Sequence, residues 1–600
     1  MDKKNTIIGV LLLVAAVASM IFTARYGPKP PAPLPYTATP AETSATPAST
    51  FTGSAGSAAA PATPGAISAP ARGEAEKVTL ANEVMIVTLT NHGGAIDSVA
   101  LKNHLAVQGE PGLYTLNAAQ AAPALSLTDF PGADRLTTYT LVSKTSTEAV
   151  YRATSATLEV TRRYLLEPAP GRDDYQIRHE TTFRNLTEQP QVLPKAVFNL
   201  GTAVPLNAND YGLYLNTAYN DGEEAHFVAR SDLEGGGFLS WIGMKDGTPP
   251  AFLDRPASIA WASVKNQFFC MILTPDQPGT GVRTERVKLD PNAPAEDKRL
   301  YGVTGYAQFD LKPLAAGASS TFGANFYAGP KEYKRLSNVD VFKLGEEKVM
   351  QFDAFFFNKI FLSGFFAPLL FTIMSWVHSI VPNWGWAIVI TTLALKIVFL
   401  PLTLAASKSA KRMAKLQPHM AALREKFKDN PQKMQAETLK IFKENKVNPV
   451  GGCIPILITI PFFVGIFAML QSTSELRFAE FLWVHDLSSP DTVARVLGLP
   501  INIMPILMGA TMIFQMKLTP TPSVDPAQQM MFKIMPWMFT LFCYTFAAGI
   551  ALYSTINGLF TIGQQMIINR MPEPDLPINN GGVTKPGASG LKNVTPKKKK

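Results

Sequence analysis

Trp384–Thr403 reads WGWAIVITTLALKIVFLPLT, twenty residues with a single charge, Lys396. About twenty apolar residues are what a helix needs to cross roughly 30 Å of hydrocarbon, because lipid offers no hydrogen-bond partner to an open backbone. The stretch, continued to Ala406, is therefore expected to span a membrane with an ammonium in its interior. Such a charge is costly unless it is hydrated or paired, so it is either a functional group or a side chain that snorkels to the interface on its four-carbon stem. Lys396 lies eight residues, about 12 Å of helix rise, from Leu404. Thr392, one turn earlier, shares its face.

Outward from this stretch, further uncharged runs predict spans at Asn5–Ala24, Gly451–Gln471 and Val496–Met516. Ile534–Asn569 holds 36 uncharged residues, too many for one helix, and is expected to divide near Ala547-Ala548-Gly549. The total is six. Phe361–Val381 is also long enough to cross, but a crossing there would put Ala405–Val447, with eleven Lys/Arg and four Asp/Glu, outside. Basic loops stay in the cytoplasm, so 361–381 is read as an interfacial helix on the periplasmic surface, and both termini are cytoplasmic. Ala16-Val17-Ala18 resembles a small-residue processing site, yet the uncharged run continues to Ala24, long for a signal core, so an uncleaved anchor is expected.

The resulting expectation is a multi-span α-helical membrane protein with an inserted periplasmic β-sandwich. Its parts are an anchor at 1–25, a Pro/Ala/Ser-rich linker at 26–75 and the sandwich at 76–335. Connecting and interfacial helices follow at 336–383, then a core of five transmembrane helices at 384–570 with a cytoplasmic helical hairpin at 408–446, and a disordered basic tail at 571–600. In the sandwich, Tyr175, Ile177, His179, Thr181 and Phe183 alternate with polar residues, and Phe322, Ala324 and Phe326 do the same, the pattern of strands with one buried face.

Little in the chain points to catalysis. Cys270, Cys453 and Cys543 are too scattered for a disulfide framework or a thiolate metal site, and His92, His104 and His179 form no cluster at ligand spacing. No phosphate-cradling Gly-rich loop with its Lys occurs, so neither a cofactor nor ATP is expected. A secondary transporter would also place a charge in a polar cavity, but the spans show no inverted repeat and no acidic residue for ion coupling.

The net charge of +9 is concentrated in two places. In the hairpin, Met413, Leu416, Met420, Leu423 and Phe427 are spaced 3, 4, 3, 4, a coiled-coil seam, and Asp429-Asn430-Pro431 stops the helix. A second arm bearing Met434, Leu439, Ile441 and Phe442 folds back on that seam. Lys408, Lys411, Arg412, Lys415, Arg424, Lys426 and Lys428 then offer a docking surface for acidic partners or anionic lipid, or simply a solvated face. The tail ends in Lys597–Lys600, suited to anionic headgroups or ribosomal RNA. Polar residues recur on the spans at Thr459, Gln515, Thr540, Tyr553, Ser554, Asn557 and Gln564, enough to line a polar groove with Lys396 and Thr392.

Long segments carry a family likeness: Trp384–Thr403, Val447–Leu470 (VNPVGGCIPILITIPFFVGIFAML), Pro505–Gln529 (PILMGATMIFQMKLTPTPSVDPAQQ) and Gly549–Arg570 (GIALYSTINGLFTIGQQMIINR). With Trp261–Phe269 (WASVKNQFF) and Phe326–Leu336 (FYAGPKEYKRL), they resemble the YidC membrane insertase family, the bacterial relatives of the mitochondrial oxidase-assembly and chloroplast insertases. The resemblance implies an inner-membrane protein that inserts and helps fold membrane proteins, alone or with the Sec translocon. It implies a hydrophilic groove open to cytoplasm and lipid, touched by Lys396, Thr392, Thr459, Tyr553, Ser554 and Asn557. Its implied partners are nascent membrane proteins, the Sec translocon, the ribosome and signal-recognition machinery. Two departures stand out. Lys396 occupies a position where many members carry arginine, keeping the charge without the bidentate fork, and Ser554 stands where some carry a second tyrosine.

Overall fold

The structure is a computed structural model. It describes residues 74–571 apart from 120–121, 168, 208–209, 211, 235–249, 291–299, 354–355, 429, 445–453 and 519–525. The expected first span, most of the linker and the basic tail lie outside the described residues. The described residues fall into two compact units. One holds those up to Asp353 together with Gln471–Arg477, and the other holds the rest from Phe356 on.

The first unit is built of antiparallel sheets. Nine strands form the largest, in the order Ala225–Ala229, Asn216–Asn220, Trp261–Lys265, Phe269–Pro275, Ser319–Pro330, Gln176–Asn185, Leu158–Leu165, Glu148–Thr154 and Thr140–Lys144. A four-stranded sheet, Phe252–Ile259, Gly279–Lys288, Tyr301–Phe309 and Ala196–Ala203, covers it. Phe198 of the smaller sheet stacks on Phe322 of the larger at 4.5 Å between ring centroids, and Phe309 meets the same ring at 4.7 Å. A further four-stranded sheet is formed by the strands between Lys77 and Leu116. The alternation expected around Ile177–Phe183 is present: Ile177, His179, Thr181 and Phe183 are buried, while Arg178, Glu180 and Thr182 are only part-buried. Removing one face from water at about 25 cal/mol per Å² fixes the register, since a one-residue slip would invert every side chain.

His179 is a core residue. Burial, and then the neighbouring Arg162 guanidinium, hold its imidazole neutral, well below the ordinary value. Arg162 is itself fully buried and donates to the carbonyls of Gly93 and Leu125. The two periplasmic family segments meet in this unit, where buried Lys265 donates to Gln351 Oε1 at 2.6 Å and buried Lys331 to Gln267 O at 2.9 Å. Gln471–Arg477 packs here as well: Ser474 N donates to Lys331 O at 3.2 Å, and the Arg477 guanidinium lies 5.3 Å from the Phe269 ring centre.

The second unit is helical, with α1 (Ser363–Ile380), α2 (Trp384–Lys426), α3 (Pro431–Glu444), α4 (Ile454–Leu470), α5 (Ile503–Leu518), α6 (Pro526–Phe542) and α7 (Ala548–Arg570). Asn383 caps α2, its side chain accepting from Trp386 N at 3.0 Å. Close helix approaches rest on small residues. A Cβ added at Gly558 would lie 2.7 Å from Thr511 Oγ1, and one at Gly465 would lie 2.9 Å from Phe366 Cβ. By length and composition, α1 and α2 qualify as spans among the described residues, with α5 and the described part of α4 as shorter apolar helices. The buried stripe of α1, Ala367, Leu370, Phe371, Met374 and Val377, leaves Phe365, Leu369, Trp376 and Ile380 exposed.

Two expectations need correction, and one holds. The span expected to begin at Val496 begins as a helix only at Ile503. Thr492–Val496 and Leu499–Asn502 instead form a β-hairpin, because Gly498 has φ 84° and Pro500 has no N–H to continue a helix. The division of 534–569 falls as expected: α6 stops at Phe542, the 3₁₀ turn Cys543–Thr545 follows, and Ala547 is the N-cap of α7. Finally, the seam of the helical hairpin lies on α2 as expected, with Met413, Leu416 and Leu423 buried, but α3 packs Ile441 and Phe442 against it while Leu439 is exposed. Leu439 is two residues from Ile441, more than half a turn round the helix at 3.6 residues per turn, and so faces away from it.

Candidate functional site

Helix α2 runs without a break from Trp384 to Lys426, so the same rod that carries Lys396 also forms the first arm of the helical hairpin. It packs along α7, and three polar contacts join them. Lys396 Nζ donates to Thr561 Oγ1 at 3.0 Å, Gln564 Nε2 donates to Thr403 Oγ1 at 2.8 Å, and Lys411 Nζ donates to the carbonyl of Ile568. Residue numbers rise together on both helices, so the two run in the same sense. That is the sense required if each leads from the periplasmic side to the cytoplasm.

Lys396 is part-buried, and among the described residues no carboxylate pairs with it. Its acceptor Thr561 donates in turn to Asn557 O at 2.7 Å, the back-bond a threonine makes within its own helix. Thr561 is nine residues before Arg570, about 14 Å of rise, so the ammonium is met well inside α7. Tyr553, Asn557, Thr561 and Gln564 recur at helical spacing and share one face of α7.

The other expected site residues are distributed unevenly. Asn557 joins the Lys396 contact through its carbonyl. Thr392 is buried and its hydroxyl is committed to Ile388 O at 2.6 Å, so it supports α2 from within. Tyr553 is buried with its ring 6.1 Å from Phe463 of α4, and the Ser554 Oγ is enclosed without a partner. Thr459, on α4, is part-buried and has a partner of its own. In the hairpin, Lys411 serves the end of α7 through Ile568, and Lys415 and Arg424 are engaged. Arg412, Lys426 and Lys428 are exposed, with the Lys426 ammonium 5.6 Å from the Phe427 ring centre, and the Lys408 side chain lies outside the described residues. Thr561 and Thr403 were missed by the sequence reading. The signal was present, since Thr561 is four residues after Asn557 and three before Gln564.

Two family models match the chain, the YidC periplasmic domain over residues 77–361 and the 60Kd inner membrane protein over 376–575. The membrane protein insertase YidC of Chlorobium phaeovibrioides is 30% identical over 538 residues, covering 86% of this chain and 87% of its own length. That of Ralstonia nicotianae is 29% identical over 592 residues, covering 95% of this chain and 98% of its own. An active YidC insertase crystal structure with the first transmembrane domain resolved aligns with 81% of this chain and 91% of its own, at 16% identity and a TM-score of 0.32, too loose to argue from. Sequence likeness over nearly the full length, with both family models in the expected order, establishes that this chain belongs to the YidC family of membrane protein insertases.

Proposed function

We propose that this protein is an inner-membrane insertase that lowers the barrier for hydrophobic segments to enter the bilayer, without ATP hydrolysis. The observation that carries the reading is the Lys396 ammonium, turned from α2 toward the polar face of α7 with a neutral hydroxyl as its acceptor. An ammonium has three donors, and among the described residues only Thr561 takes one. The remaining two are available to water and to an acidic or polar flank of an incoming chain. A groove between these helices, open to the cytoplasm and lipid, lets that flank move partway across while hydrated. The adjoining apolar segment then passes into lipid, where its transfer is downhill at about 25 cal/mol per Å².

In this reading the core has five spans, α2, α4, α5, α6 and α7, behind an amino-terminal anchor, with α1 along the periplasmic surface. Thr392, Tyr553 and the enclosed Ser554 stiffen the groove walls, and Thr459 and Asn557 contact substrate. The exposed cations Arg412, Lys426 and Lys428 dock the ribosome, signal-recognition machinery or anionic lipid, and the Sec translocon is a partner for larger substrates. The test is a photocrosslinker at Asn557, on α7, in cells making a stalled membrane-protein chain. Adducts to the nascent chain are expected, and their absence from a complementing variant would refute the groove.

A further inference from the structure

In the helical unit, the loop Phe478–Asn502 between α4 and α5 exposes apolar side chains although it is not itself a helix. It contains two tight turns, and each presents a leucine. In the hairpin, Leu497 and Gly498 form a two-residue turn between the paired Val496 and Leu499, with φ of 53° and 84°. Both angles positive is the geometry for which Asn-Gly is the favoured sequence, because asparagine tolerates the left-handed region and a bulky side chain does not. Here the first position is leucine, and it is 89% exposed. In the other turn, Phe481 and Val484 exchange backbone hydrogen bonds at 2.8 and 2.9 Å around Leu482, whose φ is 54° and which is 70% exposed. Val493, Val496 and Leu499 extend the exposed apolar surface from the hairpin tip along its strands.

The base of the hairpin is firmly held. Asp491 Oδ2 accepts from Met504 N at 2.7 Å and from Trp483 Nε1 at 3.1 Å. Asn502 accepts from Thr492 Oγ1 at 2.7 Å and donates to Tyr544 O at 2.7 Å, while the Tyr544 hydroxyl donates to Pro500 O at 2.7 Å. A fixed base beneath a strained, solvent-facing leucine is a device for presenting that leucine.

We propose that this hairpin seats its apolar tip in the periplasmic leaflet of the bilayer and anchors the entrance to α5 there. The proposal rests on reading α5 as a membrane span. The occupant follows from continuity: Asn502 ends the hairpin and Ile503 begins α5 with no linker, and the exposed Ile506, Leu507 and Phe514 carry the apolar surface onward along the helix. Arg495, on the hairpin, suits a lipid phosphate, and the part-exposed Trp483 suits the headgroup layer. Strand pairing with a passing peptide is disfavoured, because Pro500 removes a donor from one edge and the register shift between Thr492 and Ala494 interrupts the other.

The test uses the full chain, with Cys270, Cys453 and Cys543 changed to alanine, reconstituted into phosphatidylcholine and phosphatidylglycerol vesicles. A nitroxide is attached to Leu497→Cys, with Phe514→Cys as the lipid reference and Val192→Cys, exposed on the β unit, as the aqueous one. Relaxation by oxygen relative to a water-soluble nickel chelate is expected to be several-fold higher at 497 than at 192, and close to that at 514. A water-like ratio at 497 with a lipid-like one at 514 would overturn the proposal while leaving the span in place. A water-like ratio at 514 would instead remove the membrane reading of α5 on which it stands. Poor access to both relaxants at 497 would mean that protein, not lipid, covers the tip, and would also overturn it. Leu497→Asn relieves the turn, so the variant should fold, and at position 499 the same label should lose its lipid-like ratio.

Discussion

Lys396 on α2 and Thr561 on α7 meet at 3.0 Å, and the threonine hydroxyl donates its own hydrogen bond to Asn557 O at 2.7 Å, so it accepts from the ammonium with an otherwise idle lone pair. The contact orients the charge without neutralising it. A carboxylate in the same place would pair with the ammonium and compete with acidic segments of a substrate.

Lys396→Arg should therefore retain insertion, since charge and reach survive. Lys396→Glu should depress it most for substrates with acidic translocated tails, where attraction becomes repulsion in a medium less screening than water. Thr561→Val removes a hydrogen bond to a charged group, worth about 2 kcal/mol, and should give an intermediate defect. Expression-matched insertion assays with tails of differing charge make the comparison, and equal activity of Lys396→Glu and the parent on acidic tails would refute a groove charge.

The charge asymmetry around the helices makes a topological prediction. A cysteine at Met420 should be labelled only from the cytoplasm, and one at His485 only from the periplasm, by a reagent that does not cross membranes. The reverse result would mean that α1 crosses the bilayer and that the six-span arrangement is wrong.

In the hairpin of α2 and α3, Leu416 is 1% exposed and has Ile441 and Phe442 of α3 in its cluster. Leu416→Ala should cost about 3 kcal/mol of local stability and speed amide exchange across Pro431–Glu444, with little change in α7. Unchanged exchange in α3 would show that the two arms do not depend on this contact.

Burial lowers Lys331 from an ordinary 10.5 to about 8, beside Lys265 and Cys270. The folded value lies below the unfolded one, so the folded state holds fewer protons between about 8 and 10.5. The β unit should gain stability as pH rises through that window and lose the gain as pH falls back through 8. Lys331→Met keeps the apolar stem without the ammonium. It should be more stable than the parent at neutral pH and flatter across the window, as followed by scanning calorimetry of the full chain.

The helices at Trp384 and Ile454 were legible because a long run of apolar residues favours a helix, which satisfies its own backbone. The strand at Gln176–Asn185 was legible for the related reason that one buried face imposes a period of two. Both are local rules, and the sequence alone determined that a β-rich unit precedes a helical one and that one apolar helix carries a charge. The helix expected to start at Val496 failed because a hydropathy run does not distinguish apolar residues in a hairpin from apolar residues in a helix. Gly498 and Pro500 held the needed information, as backbone rather than hydropathy. Only the tertiary structure decided which residues serve Lys396. Its acceptor is 165 positions away on α7, and no periodicity within α2 specifies which face of a distant helix will pack against it. The same limit hid the end of α7 behind Lys411, which looked free for docking until Ile568 was found at its ammonium. Spacing along a chain reports which side chains share a face; the partner across that face is fixed by packing between segments.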